Sequence, residues 1–495
     1  MDENQFHELC AACDGILLEH ESSPERFAVA WLHVIREHPV FLSRYERLFS
    51  ESIKSAFHWM EGGRFVVEVL RAFRQLLRAA RHGLRKQADT MPSADIIFVS
   101  HHINASQKNA DFYFGTLPKD LSRQCNRVVV AQIDQTPDSI PHFRILPGEE
   151  ASLNYVVLPN TLTVGEEFAM LMAMLGVSRQ IANKSEHEGF RANVRHAAAA
   201  EALSSASFQA LRIARQIAKL VERLRPKILI TTFEGHAWER ATFHLVRQRH
   251  PAIKCVGYQH AALFRLQHSI RRKLGNGADP DAIWTSGSVA AEQLRREQRL
   301  AGVKIAEIGS VRVLEYSAPL RQSREAGNAS FTCLVLPEGL RPECDFLFEF
   351  SLECAAAYPQ AAFIWRLHPG ISFESLSQAN PRLRRLPANV RVSAATMRED
   401  IVQSDCALYR GSTAVLQAVS GGDVPVYVRR EDEMSIDPLY GAEVGVGRIS
   451  APGQLLAAID AVAAGKDLEY IRNYCQCIFT PLRSAAEIAE VMEAL

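Results

Sequence analysis

The sequence lacks a net charge and any long apolar run. Lysine plus arginine number 56 and aspartate plus glutamate number 56, so the formal net charge is zero, and no global field attracts nucleic acid. No run reaches the about 18 apolar residues of a membrane-spanning helix. The acidic start MDENQF also lacks the basic segment of a secretion signal. We therefore predict a cytoplasmic protein that does not bind nucleic acid.

Cysteine and the familiar catalytic motifs are also sparse. Ten cysteines are spread over 495 residues, and Cys10 and Cys13 form a lone CxxC, which favours small core residues over a disulfide framework or a zinc site. GxGxxG after a first strand, GxxxxGK[ST], GxSxG and HExxH are all missing. Dinucleotide oxidoreductases, P-loop kinases, α/β-hydrolases and zincins thereby lose their main support. No DxD-like acidic pair accompanies a nucleotide site, so we predict neither a metal nor another cofactor.

What the chain does contain is apolar surface for several cores. Its composition is 47% hydrophobic, and this length allows roughly two to four domains. Residues 1–90 show helical periodicity and form a predicted helical N-terminal region. Within it, one helical face carries a series of arginines, namely Arg71, Arg74, Arg78, Arg81 and Arg85. That face either contacts anionic lipid at the inner side of the membrane or is simply solvated.

The rest of the chain alternates predicted strands and helices, the pattern of βαβ units around parallel sheets. A first domain (91–315) has predicted strands at 96–100, 127–132, 155–158, 227–232, 254–258, 282–285 and 304–308. A second domain (331–481) has them at 331–336, 362–367, 390–392, 406–409 and 424–428. A polar linker (316–330) joins the domains, and a C-terminal helix covers 482–495. The predicted fold class is α/β, with two Rossmann-like domains facing a cleft.

Ligands of such sheets bind at the carboxyl ends of the strands, and in the second domain three polar segments occupy those ends. Arg366-Leu367-His368-Pro369 follows one strand, where His368 either donates to a phosphate or is a satisfied loop histidine. Arg410-Gly411-Ser412-Thr413 opens a predicted helix (412–420), either as an anion site or as an ordinary helix cap. Glu338 and Gly339 end the first strand, and Glu338 either accepts from a ribose hydroxyl or base amine or caps the helix near Glu343.

In the first domain, four ionisable residues follow the strand at 227–232 within seven positions. They are Glu234, His236, Glu239 and Arg240. Glu234 is placed like a general base, and the alternative is a capping acid with a neighbouring ion pair. Two further strand ends supply predicted acceptor-side residues, namely Gln259, His260, His101 and Asp111.

These second-domain motifs resemble those of GT-B glycosyltransferases. Arg-Leu-His-Pro (366–369), Arg-Gly-Ser-Thr-Ala (410–414) and Gly-Gly-Asp-Val-Pro-Val (421–426) are most similar to the bacterial surface-carbohydrate enzymes that use CMP-activated sugars, the sialyltransferase, polysialyltransferase and Kdo-transferase group. The resemblance implies that His368 contacts the donor phosphate or cytidine side, and that Ser412 with Thr413 binds the phosphate or the sugar carboxylate. The acidic-Gly motif of that group has two candidates here, 233–235 and 337–339, neither with two adjacent acids.

The resemblance implies a reaction as well as a fold. A CMP-activated nonulosonic acid or Kdo would be transferred without metal to a glycan, glycolipid or glycoprotein acceptor. Glu234 would deprotonate the acceptor hydroxyl, Glu338 would contact the nucleotide, and His368, Arg366 and the helix start at Ser412 would stabilise the departing phosphate. The arginine face would place the enzyme near membrane-bound acceptors. Two alternatives stay open: a UDP-sugar transferase or epimerase, and a non-catalytic scaffold of a polysaccharide assembly complex.

Overall fold

A computed structural model describes most of the chain. The described residues are 1–19, 23–49, 67, 71, 74, 93–102, 111–124, 126–136, 144–147, 150, 152–183, 189–314, 330–463 and 467–495. The predicted linker lies outside them except for its last residue. Of the arginine face, Arg71 and Arg74 are described as exposed helical residues, and the other three arginines lie outside. Among the described residues, no helix is both long and apolar enough to span a membrane.

The first sheet has eight strands, in the spatial order β3-β4-β2-β1-β5-β6-β7-β8. Only β3 pairs antiparallel, at one edge. The strands are β1 (Ile96–His102), β2 (Val128–Asp134), β3 (Arg144–Pro147), β4 (Leu153–Leu158), β5 (Ile228–Thr232), β6 (Lys254–Gln259), β7 (Ala282–Thr285) and β8 (Lys304–Glu307). In β1, β2, β5, β6 and β7 most residues are buried, as expected of a parallel sheet covered by helices.

The second sheet has six parallel strands, in the order β11-β10-β9-β12-β13-β14. They are β9 (Thr332–Leu336), β10 (Ala362–Trp365), β11 (Val390–Val392), β12 (Cys406–Tyr409), β13 (Val424–Val428) and β14 (Gly447–Ile449). Counted along the chain, this order is 3-2-1-4-5-6, the doubly wound arrangement of Rossmann domains. The predicted fold class of two Rossmann-like domains is confirmed, although β3 and β14 have no counterpart among the predicted strands.

Helices cover both sheets and form the N-terminal region. They are α1 (Glu3–Leu17), α2 (Pro39–Glu46), α3 (Leu117–Arg123), α4 (Val164–Asn183), α5 (Phe190–Glu201), α6 (Ser205–Leu224), α7 (Ala237–Arg249), α8 (Ser288–Arg295), α9 (Arg341–Ala357), α10 (Phe373–Ala379), α11 (Met397–Gln403), α12 (Val415–Ser420), α13 (Leu455–Ala463), α14 (Asp467–Ile478) and α15 (Ala485–Glu493). Short 3₁₀ turns lie at Pro24–Ala28, Ala30–Leu32, Arg47–Phe49, Ser269–Arg271, Gln298–Leu300, Pro381–Leu383 and Pro452–Gln454. The N-terminal helices share a continuous apolar core with α4, α5 and α6, so this region packs on the first domain.

The C-terminal helix α15 also packs on the first domain. Ile488 and Met492 are buried in the apolar cluster that contains Phe98 of β1 and Trp284 of β7. Just before this helix, Ser310 N–H donates to the Thr480 carbonyl at 2.8 Å. The chain therefore leaves the first domain and returns to it at one place.

Candidate functional site

Both sheets reverse their strand order at a switch point, where ligands of open α/β sheets bind. In the first sheet this point lies between β1 and β5, and in the second between β9 and β12. His101 lies at the end of β1 and Glu234 just beyond β5. Glu338 follows β9 and Gly411 follows β12. Residues predicted from strand ends therefore lie at both switch points.

At the second switch point, β9 and β12 run in register, with Leu336 opposite Tyr409. The loops that follow are therefore adjacent, and the Glu338 carboxylate packs against the backbone of Gly411. A Cβ at residue 411 would collide with that carboxylate, which is why glycine is needed there. Ser412 and Thr413 form the turn that follows, and α12 begins only at Val415. The predicted helix start at 412 is thus wrong by three residues, because these small residues form a turn first.

His368 completes this corner of the second domain. Its ring lies against Gly339, where a Cβ would approach Nδ1 to 2.7 Å. The Gly370 N–H donates to Nδ1 at 3.1 Å, so the ring proton of a neutral imidazole lies on Nε2. His368 and Pro369 are exposed. The imidazole can therefore offer Nε2–H to an anion at this corner.

Two predicted donor-binding arginines are held by carboxylates of their own domain. Arg366 donates to the fully buried Asp400 at 2.7 Å and to the Ala395 carbonyl at 2.9 Å. Arg410 is 2% exposed. Its Nη2 lies 2.7 Å from Glu433 and its Nε 3.0 Å from Glu343. Both guanidinium groups help to pack the second domain, and donor binding by either one stays a prediction.

The Glu338 carboxylate meets two side chains of the N-terminal region. Arg36 donates to Oε1 at 3.1 Å, and His38 Nε2 lies 2.6 Å from Oε2. Burial alone would raise the pKa of Glu338, but these two partners outweigh it and lower the pKa. The helix-cap alternative for Glu338 is wrong, since α9 is capped at Leu340 without a side-chain bond.

At the first switch point, Glu239 holds the loop between β5 and α7. Its Oε2 accepts the N–H groups of Gly235 and His236 at 2.8 Å and of Glu234 at 3.1 Å. Burial raises the pKa of Glu239 to about 7. The capping acid is therefore Glu239, and it leaves Glu234 available for another role. Arg240 is also structural, since its buried guanidinium binds Asp279 and the Ser269 and Arg272 carbonyls.

Glu234 pairs with His236, whose Nε2 lies 3.2 Å from Oε2 of the carboxylate. Burial opposes both charges, yet the hydrogen bond and the surrounding charges dominate. They lower the pKa of Glu234 to about 2 and raise that of His236 to about 9. At neutral pH the pair is therefore a carboxylate and an imidazolium.

The remaining predicted acceptor-side residues lie beside this pair in an aromatic cluster. The His101 ring contacts Tyr113 and Trp238 at centroid distances of 5.5 and 5.9 Å, and Tyr113 contacts His260 at 4.5 Å. Burial lowers the pKa of both histidines to about 4, so both rings are neutral at pH 7. Gln259 is buried.

Asp111, another predicted acceptor-side residue, is hydrogen-bonded within its own turn. Its buried Oδ1 accepts the Ser100 hydroxyl at 2.8 Å and the N–H groups of Tyr113 and Phe114 at 2.9 and 3.0 Å. These three bonds hold the turn that carries Tyr113. Asp111 therefore positions the aromatic cluster from beneath.

A single cleft of about 610 Å³ joins both switch points. Eight predicted site residues line it, namely Glu234, His236, Glu338, Gly339, His368, Gly411, Ser412 and Thr413. Its third wall comes from the N-terminal region and neighbouring loops, through Val34, Ile35, Arg36, Phe41, Leu42, Arg44, Tyr45, Phe264, Gln267 and Leu340. Amphipathic periodicity is the only sequence signal in this part of the wall, and it does not indicate where a helical unit docks. Among the described residues, no cluster of three or more His, Cys, Asp or Glu could hold a metal.

Two facing Rossmann-like domains with one cleft between their switch points define the GT-B class of fold. No protein-family model matches the sequence, and no curated protein does. Three solved structures illustrate what the chain is similar to. The UDP-forming α,α-trehalose-phosphate synthase of Burkholderia vietnamiensis is 13% identical with a TM-score of 0.46, over 82% of this chain and 100% of that one.

The other two structures are a transferase and an epimerase. A glycosyltransferase from Streptomyces nogalater is 16% identical with a TM-score of 0.41, over 81% of this chain and 100% of that one. The UDP-GlcNAc 2-epimerase of Methanocaldococcus jannaschii is 10% identical with a TM-score of 0.43, over 81% and 100%. The fold class rests on the strand order and the shared cleft described above.

Proposed function

We propose that the protein transfers a glycosyl group from a nucleotide-activated sugar to an acceptor hydroxyl. The observation that carries the proposal is the position of the two switch points on one cleft. It places a carboxylate–imidazolium pair of the first domain in the same cleft as the hydroxyls and imidazole of the second. Transfer from a nucleotide sugar needs both: a proton acceptor for the attacking hydroxyl and donors for the departing phosphate.

In this proposal Glu234 accepts the proton of the acceptor hydroxyl as the hydroxyl oxygen forms its bond to the anomeric carbon. The bond from that carbon to the phosphate oxygen breaks, and its electron pair leaves with the nucleotide. His368 Nε2–H and the hydroxyls of Ser412 and Thr413 donate to the phosphate as its charge grows. His236 holds Glu234 in its ionised form, so the base is deprotonated before the acceptor arrives.

Two nucleotides are compatible with the proposal. The motif resemblance implies CMP, carrying a nonulosonic acid or Kdo, and the alternative is a UDP-linked sugar. The corner formed by His368, Ser412 and Thr413 recognises phosphate oxygens, which both nucleotides share. A UDP-linked donor therefore fits this corner at least as well as a CMP-linked one, and the base must be identified by binding. Transfer to a surface glycan, glycolipid or glycoprotein, and action without metal, remain proposals.

The experiment is a thermal-shift titration with CMP, CDP, UMP, UDP and GDP, with and without Mg²⁺. A ligand that binds only the folded protein raises the melting temperature by mass action. We expect a cytidine or uridine nucleotide to stabilise the wild type and His368→Ala to lose most of that shift. His7→Ala is the matched control, since His7 is an exposed residue of α1.

The outcomes separate the alternatives. Stabilisation by CMP directs donor screening to nonulosonic acids and Kdo, whereas stabilisation by UDP directs it to UDP-sugars. Consumption of a UDP-sugar without any acceptor would identify an epimerase and contradict transfer. If no nucleotide stabilises the protein, the proposal is overturned in favour of a non-catalytic scaffold.

A further inference from the structure

A segment of the N-terminal region, residues 33–38, lies between the two domains. On the first-domain side, Ser269 N–H donates to the Ile35 carbonyl at 3.4 Å and Leu266 N–H to Glu37 Oε1 at 2.8 Å. On the second-domain side, Arg36 and His38 reach the same carboxylate of Glu338. The segment therefore touches both domains and forms part of the cleft wall.

Arg36 is held in position by two contacts, but few of its N–H groups are hydrogen-bonded within the described part of the chain. Its guanidinium lies 4.2 Å from the centre of the Phe264 ring and donates to Glu338 Oε1 at 3.1 Å. That single bond uses one of the five N–H donors of a guanidinium, and among the described residues no other protein acceptor takes the rest. The side chain is 16% exposed and lines the cleft, so its remaining donors face ligand space.

A buried arginine of the same protein shows the contrast. Arg240 is 1% exposed, binds the Asp279 carboxylate and donates from Nη2 to two carbonyl oxygens at 2.8 Å. Both of its Nη groups are therefore bound within the fold, and the side chain is closed to the cleft. Arg36 has instead one acidic partner, the Phe264 and Phe41 rings beside it and open donors, which is the arrangement expected of a guanidinium that binds an anion such as phosphate through two parallel hydrogen bonds.

The position of Arg36 within the cleft indicates which anion its guanidinium binds. Its partner Glu338 packs on Gly411, next to the Ser412–Thr413 turn. The charge of Arg36 also acts on Glu234 across the cleft, where it helps to keep that carboxyl ionised. Arg36 therefore lies between the proposed base and the proposed phosphate corner, where the leaving group of a glycosyl transfer departs.

We propose that Arg36 binds a phosphate of the nucleotide-sugar donor, and that Glu338 is the positioning residue that holds its guanidinium in place. This inference rests on the proposed function. Glu338 then contacts the nucleotide only through Arg36, which differs from the direct ribose or base contact predicted from the sequence. The helical N-terminal region thereby becomes part of the donor site.

The test compares nucleotide binding by Arg36→Gln, Arg36→Lys and the wild type, using isothermal calorimetry with CMP and with UDP. We expect Arg36→Gln to raise Kd at least about tenfold, the loss typical of a charge-assisted hydrogen bond. Arg36→Lys should give an intermediate Kd, because lysine keeps the charge but not the planar fork. The melting temperature without ligand reports whether each variant is folded.

The control variant is Arg265→Gln. Arg265 is 39% exposed and pairs with Glu3 of α1, so this change loosens the docking of the N-terminal region without touching the cleft. We expect it to leave Kd unchanged. If Arg265→Gln weakens binding as much as Arg36→Gln does, the effect is one of docking and the inference is overturned.

Glu338→Gln tests the positioning role separately. A residue that positions Arg36 should weaken CMP, UMP and inorganic pyrophosphate to a similar extent, because all three bind through phosphate. A loss confined to one nucleoside would show that Glu338 reads the base, which contradicts the positioning role.

The two proposals fail in distinguishable ways. If the wild type binds nucleotide and Arg36→Gln binds it equally well, the inference about Arg36 is wrong and the proposed function stands. If the wild type binds no nucleotide, the proposed function and the inference about Arg36 are both wrong.

Discussion

The two switch points of this molecule have the same strand topology, but the side chains at them differ in chemistry. At the second, His368, Ser412 and Thr413 line the cleft, and their charged neighbours Arg366 and Arg410 pair with acids of the same domain. At the first, ionisable groups are buried close together and shift one another's pKa values. In the proposed function, the second switch point is the binding corner and the first is the proton-handling corner, and the loops beyond the strands carry both roles.

The largest effect should come from the proton-handling corner. Glu234→Gln removes the proposed proton acceptor while keeping the shape, and loss of general-base catalysis typically costs about 10²–10⁴-fold in rate. We expect turnover of the donor identified above to fall by that factor while nucleotide Kd stays unchanged. Glu222→Gln, on the exposed face of α6, is the control. Equal losses of turnover and nucleotide affinity would show that the two corners do not have separate roles.

His368→Ala should have the reverse pattern, with its main effect on nucleotide affinity. It removes the Nε2–H donor from the binding corner, so we expect nucleotide Kd to rise about tenfold. The pH dependence set by Glu234 and His236 should persist in the turnover that remains. Calorimetry and a pH–rate profile measure the two effects. A changed profile with an unchanged Kd would place His368 in the proton-handling corner instead.

Gly411→Ala should have a smaller effect on the same corner. The added Cβ collides with the Glu338 carboxylate, so this side chain must shift, together with the Arg36 guanidinium that it holds. We expect a several-fold weaker nucleotide affinity at nearly unchanged turnover by bound donor. Gly453→Ala is the matched control, since a Cβ there meets nothing within 4 Å. Wild-type affinity in Gly411→Ala would mean that the corner tolerates the displacement.

The smallest predicted effect is on the way in which the melting temperature depends on pH. The raised pKa of His236 means that its ion pair stabilises the fold fully below the unfolded pKa of about 6.5 and loses that contribution as the pH rises through about 9. The melting temperature of the wild type should therefore exceed that of His236→Gln more at pH 6.5 than at pH 9.5. A difference that does not depend on pH would contradict the ion pair.

The sequence predicted the sheets well, because strands buried on both faces appear as continuous β-branched runs. It also predicted the strand-end residues, because parallel strands bring their carboxyl ends to one edge of a sheet. It did not predict which arginines are free, because the partners of Arg366 and Arg410 are acids on other elements of the second domain.

The largest omission is the contribution of the N-terminal region to the cleft. Arg36 and His38 meet Glu338 some 300 residues away along the chain, and no local pattern encodes such a contact. The sequence instead drew attention to the arginine series beginning at Arg71, most of which lies outside the described residues. Amphipathic spacing predicted helices in the N-terminal region but did not indicate which surface they pack against.

The return of the chain to the first domain has a mechanical consequence. Ser310 pairs with Pro481 in an isolated parallel bridge, and Thr480 bonds to the loop after β7, so both crossings between domains lie side by side. The segments that precede and follow the second domain are thus joined to each other by hydrogen bonds at the first domain. The contacts of Arg36 and His38 with Glu338 tie the domains together at the cleft. Any motion that separates the N-terminal region from the second domain at the cleft must break both of these contacts.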